Sequence, residues 1–192
     1  MKKPLERSSI IRGHDCPIVR WKNGMGTTRE IAVQPSLSGS DDFLWRVSVA
    51  EVDSAAPFSS FPGIDRHIAL LDGAGFRMTL DGDRTHALDT PFVPFAFAGE
   101  STVAVVLIDG PTRDFNLMVR RSDACGDVVV LDEPGLHRLD PDVVLVYAAR
   151  GDIGTSDGVL QAGDSWLSGS SPSRVTLHHG AVALVIHVRP RG

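Results

Sequence analysis

The fold of this chain is decided by the stretch FLWRVSVA, residues 43–50, in which apolar side chains recur at every second position. Successive side chains of a β-strand point to opposite faces of a sheet, so this alternation predicts a strand with one buried face. Trp45 would lie on the buried face together with the apolar side chains two and four positions later. Arg46 and Ser48 would lie on the other face, toward either a pocket or solvent.

Short apolar runs of this kind recur along the chain, and Gly and Asp residues separate them. Many short strands with regular turn signals are typical of β-sandwiches and barrels. No long window has helical periodicity, and the best short helix candidate is 116–120. The chain is therefore predicted to be mainly β. The further predicted strands are 30–33, 68–71, 75–80, 102–108, 127–131, 143–149, 158–160, 165–167, 174–177 and 181–188.

Composition narrows the classes of function. The 192 residues carry a formal net charge of −5 with a pI of about 5.7, which argues against a nucleic-acid partner because such a partner requires a basic face. No apolar run approaches the roughly 18 residues of a membrane span, and the charged start lacks the apolar core of a signal peptide. Cys16 and Cys125 are expected to be free thiols in a reducing cytoplasm.

The most polar informative segment is WKNGMGTTRE, residues 21–30, which combines an indole, a cation, an amide and two hydroxyls with two glycines. Glycine permits positive φ and close approach of the backbone to a ligand. A loop so rich in hydrogen-bond donors is more often a binding site than a spacer. We therefore count Trp21, Lys22, Asn23 and Thr27 as candidate ligand-binding residues.

A faint repeat divides the chain. Residues 68–73 resemble residues 145–151 in sequence. In each part of the chain a final apolar strand follows, at 102–108 in the first and at 181–188 in the second. Two β-barrel halves joined near residues 109–123 would explain this pattern, whereas chance similarity between β sequences is the alternative.

Three blocks, in order, resemble the HutD/Ves family. They are WKNG with the glycine, threonine and glutamate that follow it (21–31), WRVSVAE with PFSSFPGIDR (45–66), and GPTRDFNLMVR (110–120). The resemblance covers roughly residues 15–120, and the last third matches only in its strand pattern. Ala56 departs from the expected glycine, which concerns a turn more than chemistry.

The resemblance implies a bicupin, that is, two jelly-roll β-barrels in one chain with few short helices. The implied domains are an N-terminal barrel over 1–115 that carries the pocket and a C-terminal, structural barrel over 116–192, with exchange of strands between them left open. The resemblance also implies an association with histidine utilisation, where no catalytic activity is established for the family and a role in limiting flux is proposed.

Metal-binding cupins place a glutamate seven positions before the glycine that ends a strand, and in the first half that position is Arg66, counted back from Gly73. The two histidine positions fall near Ser60 and Pro62. The same count in the second half reaches Val144. Since these positions offer neither carboxylate nor imidazole, we expect no metal and no cofactor.

An arginine in place of a metal-binding carboxylate suits an anion, because its planar fork matches a carboxylate. Arg46, Arg66 and Lys22 would together hold a small dianion, with Asn23 and Thr27 at its polar ends. Trp21 would form an apolar wall, Ser48 would share the face of Arg46, and Asp114 would orient an arginine. The alternatives are a surface charge or an ion pair of Arg46 with Glu51 or Asp65, and turn capping by Asp114 and Asn116.

The sequence thus predicts metal-independent binding of a small anionic metabolite, such as N-formimidoyl-glutamate, urocanate or a related acid, that modulates histidine catabolism. One alternative is an isomerase or hydrolase that uses Arg46 and Arg66 electrostatically, with Asp114 or His14 as general base. Another is a regulatory module that binds a protein partner. The predicted partner is the small anionic metabolite, and neither nucleic acid nor a membrane is expected. A homodimer is considered as a further possibility.

Overall fold

The computed structural model describes residues 8–21, 24–36, 43–55, 57–169 and 173–191. Lys22, Asn23 and Ala56 lie outside the described residues. The described ranges form eighteen strands and one 3₁₀ turn, Gly13–Asp15. The strands are β1 Ser9–Ile11, β2 Ile18–Arg20, β3 Gly26–Pro35, β4 Phe43–Val52, β5 Ile64–Asp72, β6 Phe76–Leu80, β7 Arg84–Leu88, β8 Phe95–Ala98, β9 Val103–Leu107, β10 Thr112–Arg120, β11 Ala124–Leu131, β12 Gly135–Arg138, β13 Val143–Arg150, β14 Ile153–Thr155, β15 Gly158–Leu160, β16 Ser165–Leu167, β17 Arg174–Leu177 and β18 Val182–Pro190.

The strands form four sheets, which confirms the prediction of a mainly β protein. A six-stranded sheet has the order β2-β3-β4-β10-β5-β8, and a three-stranded sheet has the order β7-β6-β9. A five-stranded sheet has the order β1-β16-β13-β18-β11, and a four-stranded sheet has the order β12-β17-β14-β15. Each sheet is open at two edges, so hydrogen bonding within the described ranges does not close either of the two barrels that the sequence predicts.

The alternation predicted for residues 43–50 is observed in β4. Trp45, Val47 and Val49 are buried in an apolar core that also contains residues of the five-stranded sheet, including Leu145 and Ile186. One face of the six-stranded sheet therefore packs against the five-stranded sheet. The other face of β4 carries the polar side chains and faces a separate space.

The predicted short helix at residues 116–120 is wrong, because these residues belong to β10. This strand pairs antiparallel with β4 on one side and with β5 on the other, so it lies in the middle of its sheet. Phe115 and Leu117 are fully buried in the core between the sheets, while Asp114 and Asn116 alternate with them on the opposite face. The boundary predicted between residues 115 and 116 falls inside β10, and the segment expected to join two halves is mostly this central strand.

Two further cores lie on the outer sides of these two sheets. Side chains such as Ile68, Phe76 and Met78 fill the space between the six-stranded and three-stranded sheets. Side chains such as Trp166 and Val185 fill the space between the five-stranded and four-stranded sheets. The described residues contain no helix long and apolar enough to cross a membrane.

The buried face of β4 is expected to dominate stability. Val47→Ala removes two methyl groups from a fully buried position, and should lower the free energy of unfolding by about 2 kcal/mol. Val106 on β9 is 65% exposed, and Val106→Ala is the matched control with an expected effect within about 0.5 kcal/mol. Urea unfolding of both variants measures the difference, and equal losses would contradict the assigned faces of β4.

Candidate functional site

The polar face of the six-stranded sheet opens into a cavity of about 490 Å³. Its floor comes from β4, β5 and β10, and its walls come from β2, β3 and the segment around residues 57–61. The lining residues are Val19, Arg20, Trp21, Thr28, Arg46, Ser48, Ala50, Val52, Pro57, Phe58, Ser59, Phe61, Arg66, Asp114, Asn116 and Met118.

The structure brings together most of the site residues predicted from the sequence. Trp21, Arg46, Ser48, Arg66 and Asp114 all line this cavity. They reach it from four different strands or loops, which explains why no single motif contains them.

Thr27 does not line this cavity, and Thr28 lies there instead. Neighbouring residues of β3 point to opposite faces of the sheet, so a prediction displaced by one residue selects the wrong face. Lys22 and Asn23 lie outside the described residues.

Strand register places the cavity side chains next to one another. Ser48 on β4 lies opposite Asn116 on β10, and Met118 lies between Arg46 on β4 and Arg66 on β5. Directly opposed side chains on neighbouring strands lie close enough to interact. The antiparallel pairing of the three central strands therefore brings these side chains together on one face of the sheet.

Arg66 is the central cation of the cavity. It is only 6% exposed, and its Nη2 donates a hydrogen bond of 2.7 Å to Asn116 Oδ1. Its guanidinium carbon lies 5.0, 5.7 and 4.9 Å from the ring centroids of Phe58, Phe61 and Phe97, respectively. Cations at this distance from aromatic rings are attracted by the ring quadrupole, and more strongly when they are desolvated.

The charge of Arg66 is incompletely compensated by the protein. Burial lowers the pKa of Arg66 to about 10, Asp114 opposes this shift and Arg46 adds to it. The guanidinium group therefore stays charged at neutral pH. Its buried Nε has no hydrogen-bond partner within the described residues, which leaves one donor available.

Asp114 is the acidic member of the cluster and is 1% exposed. Its Oδ1 accepts a hydrogen bond from Nδ2 of Asn116, whereas its buried Oδ2 has no partner within the described ranges. Burial raises the pKa of Asp114 to about 7, although Arg66 and Asn116 both act to lower it. The side chains of Asp114 and Asn116 both belong to β10 and form a hydrogen bond with each other. The alternative in which they cap a turn therefore does not apply.

Arg46 is paired, but with a residue that the sequence did not suggest. Its Nε donates to Oε2 of Glu30 at 3.2 Å, instead of to Glu51 or Asp65. Glu30 lies opposite Ser48, next to a bulge in β3 that shifts the register by one residue. Glu30 is therefore the diagonal neighbour of Arg46 on the same face of the sheet, within reach of a long side chain.

Trp21 forms a fixed part of the wall. Its indole Nε1 donates to Oγ1 of Thr28 at 2.7 Å, and its backbone amide donates to the carbonyl of Gly26. A β-carbon at Gly26 would lie 2.4 Å from the carbonyl oxygen of Glu51 and 3.1 Å from the indole ring. The second glycine of the predicted loop is therefore needed for close packing.

Among the described residues, three ligand-type side chains come close together only at Asp140, Asp142 and His187, away from this cavity. Asp142 already accepts hydrogen bonds from Nε of Arg189 at 2.6 Å and interacts with Nδ1 of His187 at 3.1 Å. In the cavity itself, Ser59 and Phe61 occupy the wall where the sequence placed histidine positions near Ser60 and Pro62. The donor set of the cavity thus suits an anion better than a cation.

The fold resembles that of cupins. It superposes on a cupin 2 conserved barrel domain protein from Leptotrichia buccalis with a TM-score of 0.57 and 12% identity, over 89% of this chain and 92% of that one. At this identity the likeness concerns the fold alone. The structure is much more similar to that of HutD from Pseudomonas fluorescens SBW25 in a formate condition, with a TM-score of 0.85 and 32% identity over 97% and 100% of the two chains.

Sequence comparison agrees with this likeness. The chain is 37% identical over 172 residues to protein Ves of Cronobacter sakazakii, covering 86% of this chain and 91% of that protein. It is 42% identical over 114 residues, or 59% of each chain, to an uncharacterized 21.2 kDa protein in the hutC 3′ region of Pseudomonas putida. The HutD family model matches residues 13–185, so the chain belongs to the HutD family.

The raised pKa of Asp114 gives a pH dependence with a definite sign. The folded state holds this proton more tightly than the unfolded chain, because the pKa rises from 3.8 to about 7 on folding. The stability from this group is therefore fully present below about pH 4 and is lost as the pH rises to about 7. Asp114→Asn keeps an acceptor oxygen for Asn116 but cannot ionise.

The melting temperature of Asp114→Asn minus that of the wild type should therefore increase between pH 4 and pH 7. Calorimetric scans of both proteins at matched ionic strength measure this difference, in which the titration of all other groups cancels. A difference that stays constant with pH would show that Asp114 titrates normally.

Proposed function

We propose that this protein binds a small anionic metabolite, without a metal, in the cavity on the polar face of the six-stranded sheet. The observation that carries the proposal is Arg66, a buried guanidinium group whose Nε lacks a hydrogen-bond partner within the described residues. Leaving a buried donor unpaired costs about 1–3 kcal/mol. A ligand carboxylate at Arg66 would satisfy this donor and compensate the charge.

The electrostatic balance of the cavity favours an acid. Arg20, Arg46 and Arg66 line it, while Asp114 is its acidic lining residue and Glu30 neutralises Arg46. A volume of about 490 Å³ lies in the usual range for small-molecule sites. Aromatic rings around Arg66 exclude water, which strengthens an ion pair formed there.

The two unpaired atoms suggest which acid. The Nε of Arg66 offers a donor to a carboxylate, and Oδ2 of Asp114 offers an acceptor to an N–H group. N-formimidoyl-glutamate and urocanate carry both a carboxylate and an N–H group. The names of the relatives, HutD and a protein in a hutC 3′ region, support a link to histidine utilisation. We therefore propose that binding of such an acid in the cytoplasm modulates histidine catabolism.

We also propose that the chain is a bicupin. Gly73 follows β5 with a φ of 91°, and Gly151 follows β13 with a φ of 68°. Each of these strands pairs with the long strand that starts beside the glycine, β10 in the first half and β18 in the second. This equivalence supports two halves that meet at the turn after β10, at residues 121–123.

One observation favours an enzyme as the second candidate. A carboxyl group with a pKa of about 7 is well matched to general-base catalysis at neutral pH, and Asp114 has this property. His14, the other base considered from the sequence, lines a different cavity. In this case Asp114 would accept a proton from the bound acid while Arg66 stabilises the resulting charge.

Removal of the Arg66 guanidinium group is the direct test of the binding proposal. Isothermal titration with urocanate, N-formimidoyl-glutamate, glutamate and formate should give saturable binding of at least one acid to the wild type. Arg66→Met should weaken that binding about thirtyfold, which corresponds to about 2 kcal/mol for a charge-assisted pair. Arg66→Lys should recover only part of the loss, because lysine lacks the planar fork.

Arg77→Met is the matched control, because Arg77 is an exposed arginine on β6 outside the cavity lining. It should bind as the wild type does. Failure of all four acids to bind, together with a large thermal shift by a divalent metal ion, would contradict the proposal.

Lys22→Ala tests whether Lys22 belongs to the binding site, as the sequence predicts. Loss of one cation near an acid should weaken binding several-fold and reduce its salt dependence, whereas the melting temperature should stay within about 1 °C because substitutions away from packed features are usually mild. Titrations at two salt concentrations measure both effects. An unchanged affinity would remove Lys22 from the site.

A further inference from the structure

A second cavity, of about 260 Å³, lies on the other face of the six-stranded sheet. Residues of β3, β4 and β10 form one side of it, β13 and the segment 161–164 form another, and the 3₁₀ turn completes it. Its lining residues are Gly13, His14, Ile18, Thr27, Arg29, Val49, Glu51, Arg113, Tyr147, Gln161, Ala162, Gly163 and Asp164. Thr27, which the sequence assigned to the first site, belongs here.

Tyr147 is the most informative residue of this second cavity. It is 3% exposed and packs against Phe115, with ring centroids 5.3 Å apart. Its hydroxyl makes no hydrogen bond with any described residue. The hydroxyl group lies at the cavity wall, where it can donate a hydrogen bond to water or to a ligand and accept one.

Two arginines lie near Tyr147. Burial raises the pKa of Tyr147, while the charges of Arg113 and Arg29 act in the opposite direction, which is consistent with their proximity. Nη1 of Arg29 donates to the carbonyl of Gly13 at 2.6 Å, and this contact fixes the guanidinium group at the cavity. Arg113 lies opposite Glu51 in the register of β10 and β4.

The acidic residues only partly balance these cations. The carboxylate of Asp164 is already bound, by the amide of Gly13 at 2.9 Å, the amide of Gln161 at 3.1 Å and Nη1 of Arg12 at 2.6 Å. Glu51 and Arg113 are both exposed residues at the cavity. Arg29 and Arg113 against Glu51 leave one net positive charge, which matches a monoanion.

We propose that this cavity is a second binding site, separate from that of Arg66, for a small monocarboxylate held by the hydroxyl of Tyr147 and the guanidinium groups of Arg29 and Arg113. Because Val49 and Ser48 are neighbours on β4, the two sites occupy opposite faces of the same strand. A ligand here would contact both large sheets and the N-terminal turn, and would stabilise their arrangement.

Acetate is the probe for this site. In ¹H–¹⁵N correlation spectra, acetate should shift the amide resonances of Gly13 and Gly163 along a saturable curve, at constant ionic strength with chloride as the replaced ion. Tyr147→Phe removes only the hydroxyl and keeps the ring against Phe115. It should weaken acetate binding about tenfold, as expected for a hydrogen bond to a charged acceptor.

Arg113→Gln should weaken the same binding, whereas Arg77→Gln, on an exposed position of β6, is the control for loss of charge alone and should leave it unchanged. Arg66→Met should also leave these shifts unchanged, which separates this site from the first one. Melting temperatures of all variants check that each is folded.

Unshifted amides at Gly13 and Gly163 would overturn the proposal. So would acetate binding in folded Tyr147→Phe and Arg113→Gln with the affinity of the wild type. Loss of the shifts in Arg66→Met would place acetate in the first cavity, and would overturn this proposal without affecting the one for Arg66.

Discussion

The alternation of side chains along the central strands is the constraint on which the rest of the structure depends. One face of β4 and β10 must be apolar, because it packs against the five-stranded sheet through residues such as Val47, Phe115 and Leu117. The opposite face does not take part in that core. It therefore accommodates Ser48, Asp114 and their polar neighbours on the central strands of a sheet, which are a better support for a binding site than a loop.

In the polar cluster of Arg66, Asp114 and Asn116, the free-energy cost of removing charged groups from water is only partly offset by contacts with the protein. Burial of Arg66 is unfavourable, and three aromatic rings, Asn116 and the charge of Asp114 offset part of it. The offset is incomplete, since Nε of Arg66 and Oδ2 of Asp114 have no partner within the described residues. Buried groups of this kind are rarely retained unless they have a role, and here a bound acid that also carries an N–H group would pair with both.

The parts of the fold that follow from local pattern could be predicted from the sequence, and those that depend on distant partners could not. The strand at residues 43–50 has a strict period of two, so its faces and the positions of Arg46 and Ser48 were predicted correctly. β10 was mistaken for a helix and a connection, because Asp114 and Asn116 interrupt its apolar pattern. These two polar side chains can be buried only because Arg66 from β5 lies beside them, and a local window of sequence does not contain Arg66.

The same distinction applies to the sites. Thr27 and Thr28 are equivalent in type, and only the register of β3 decides which cavity each one lines. The pairing of Arg46 with Glu30 depends on the register between β3 and β4. The second cavity depends on Tyr147, which is 120 residues away from Thr27 in the sequence. Such relations are set by tertiary packing and leave no signal in a local window.

The central claim is that a ligand acid binds to the unpaired donor of Arg66, and the ¹⁵N resonance of its Nε–Hε group tests this most directly. Burial should slow exchange of this proton with water enough for the resonance to be observed, and Arg66→Met assigns it. Urocanate or N-formimidoyl-glutamate should shift the Arg66 Nε–Hε resonance along a saturable curve, with the same affinity as calorimetry gives. An unchanged Arg66 resonance at concentrations that saturate calorimetric binding would contradict it.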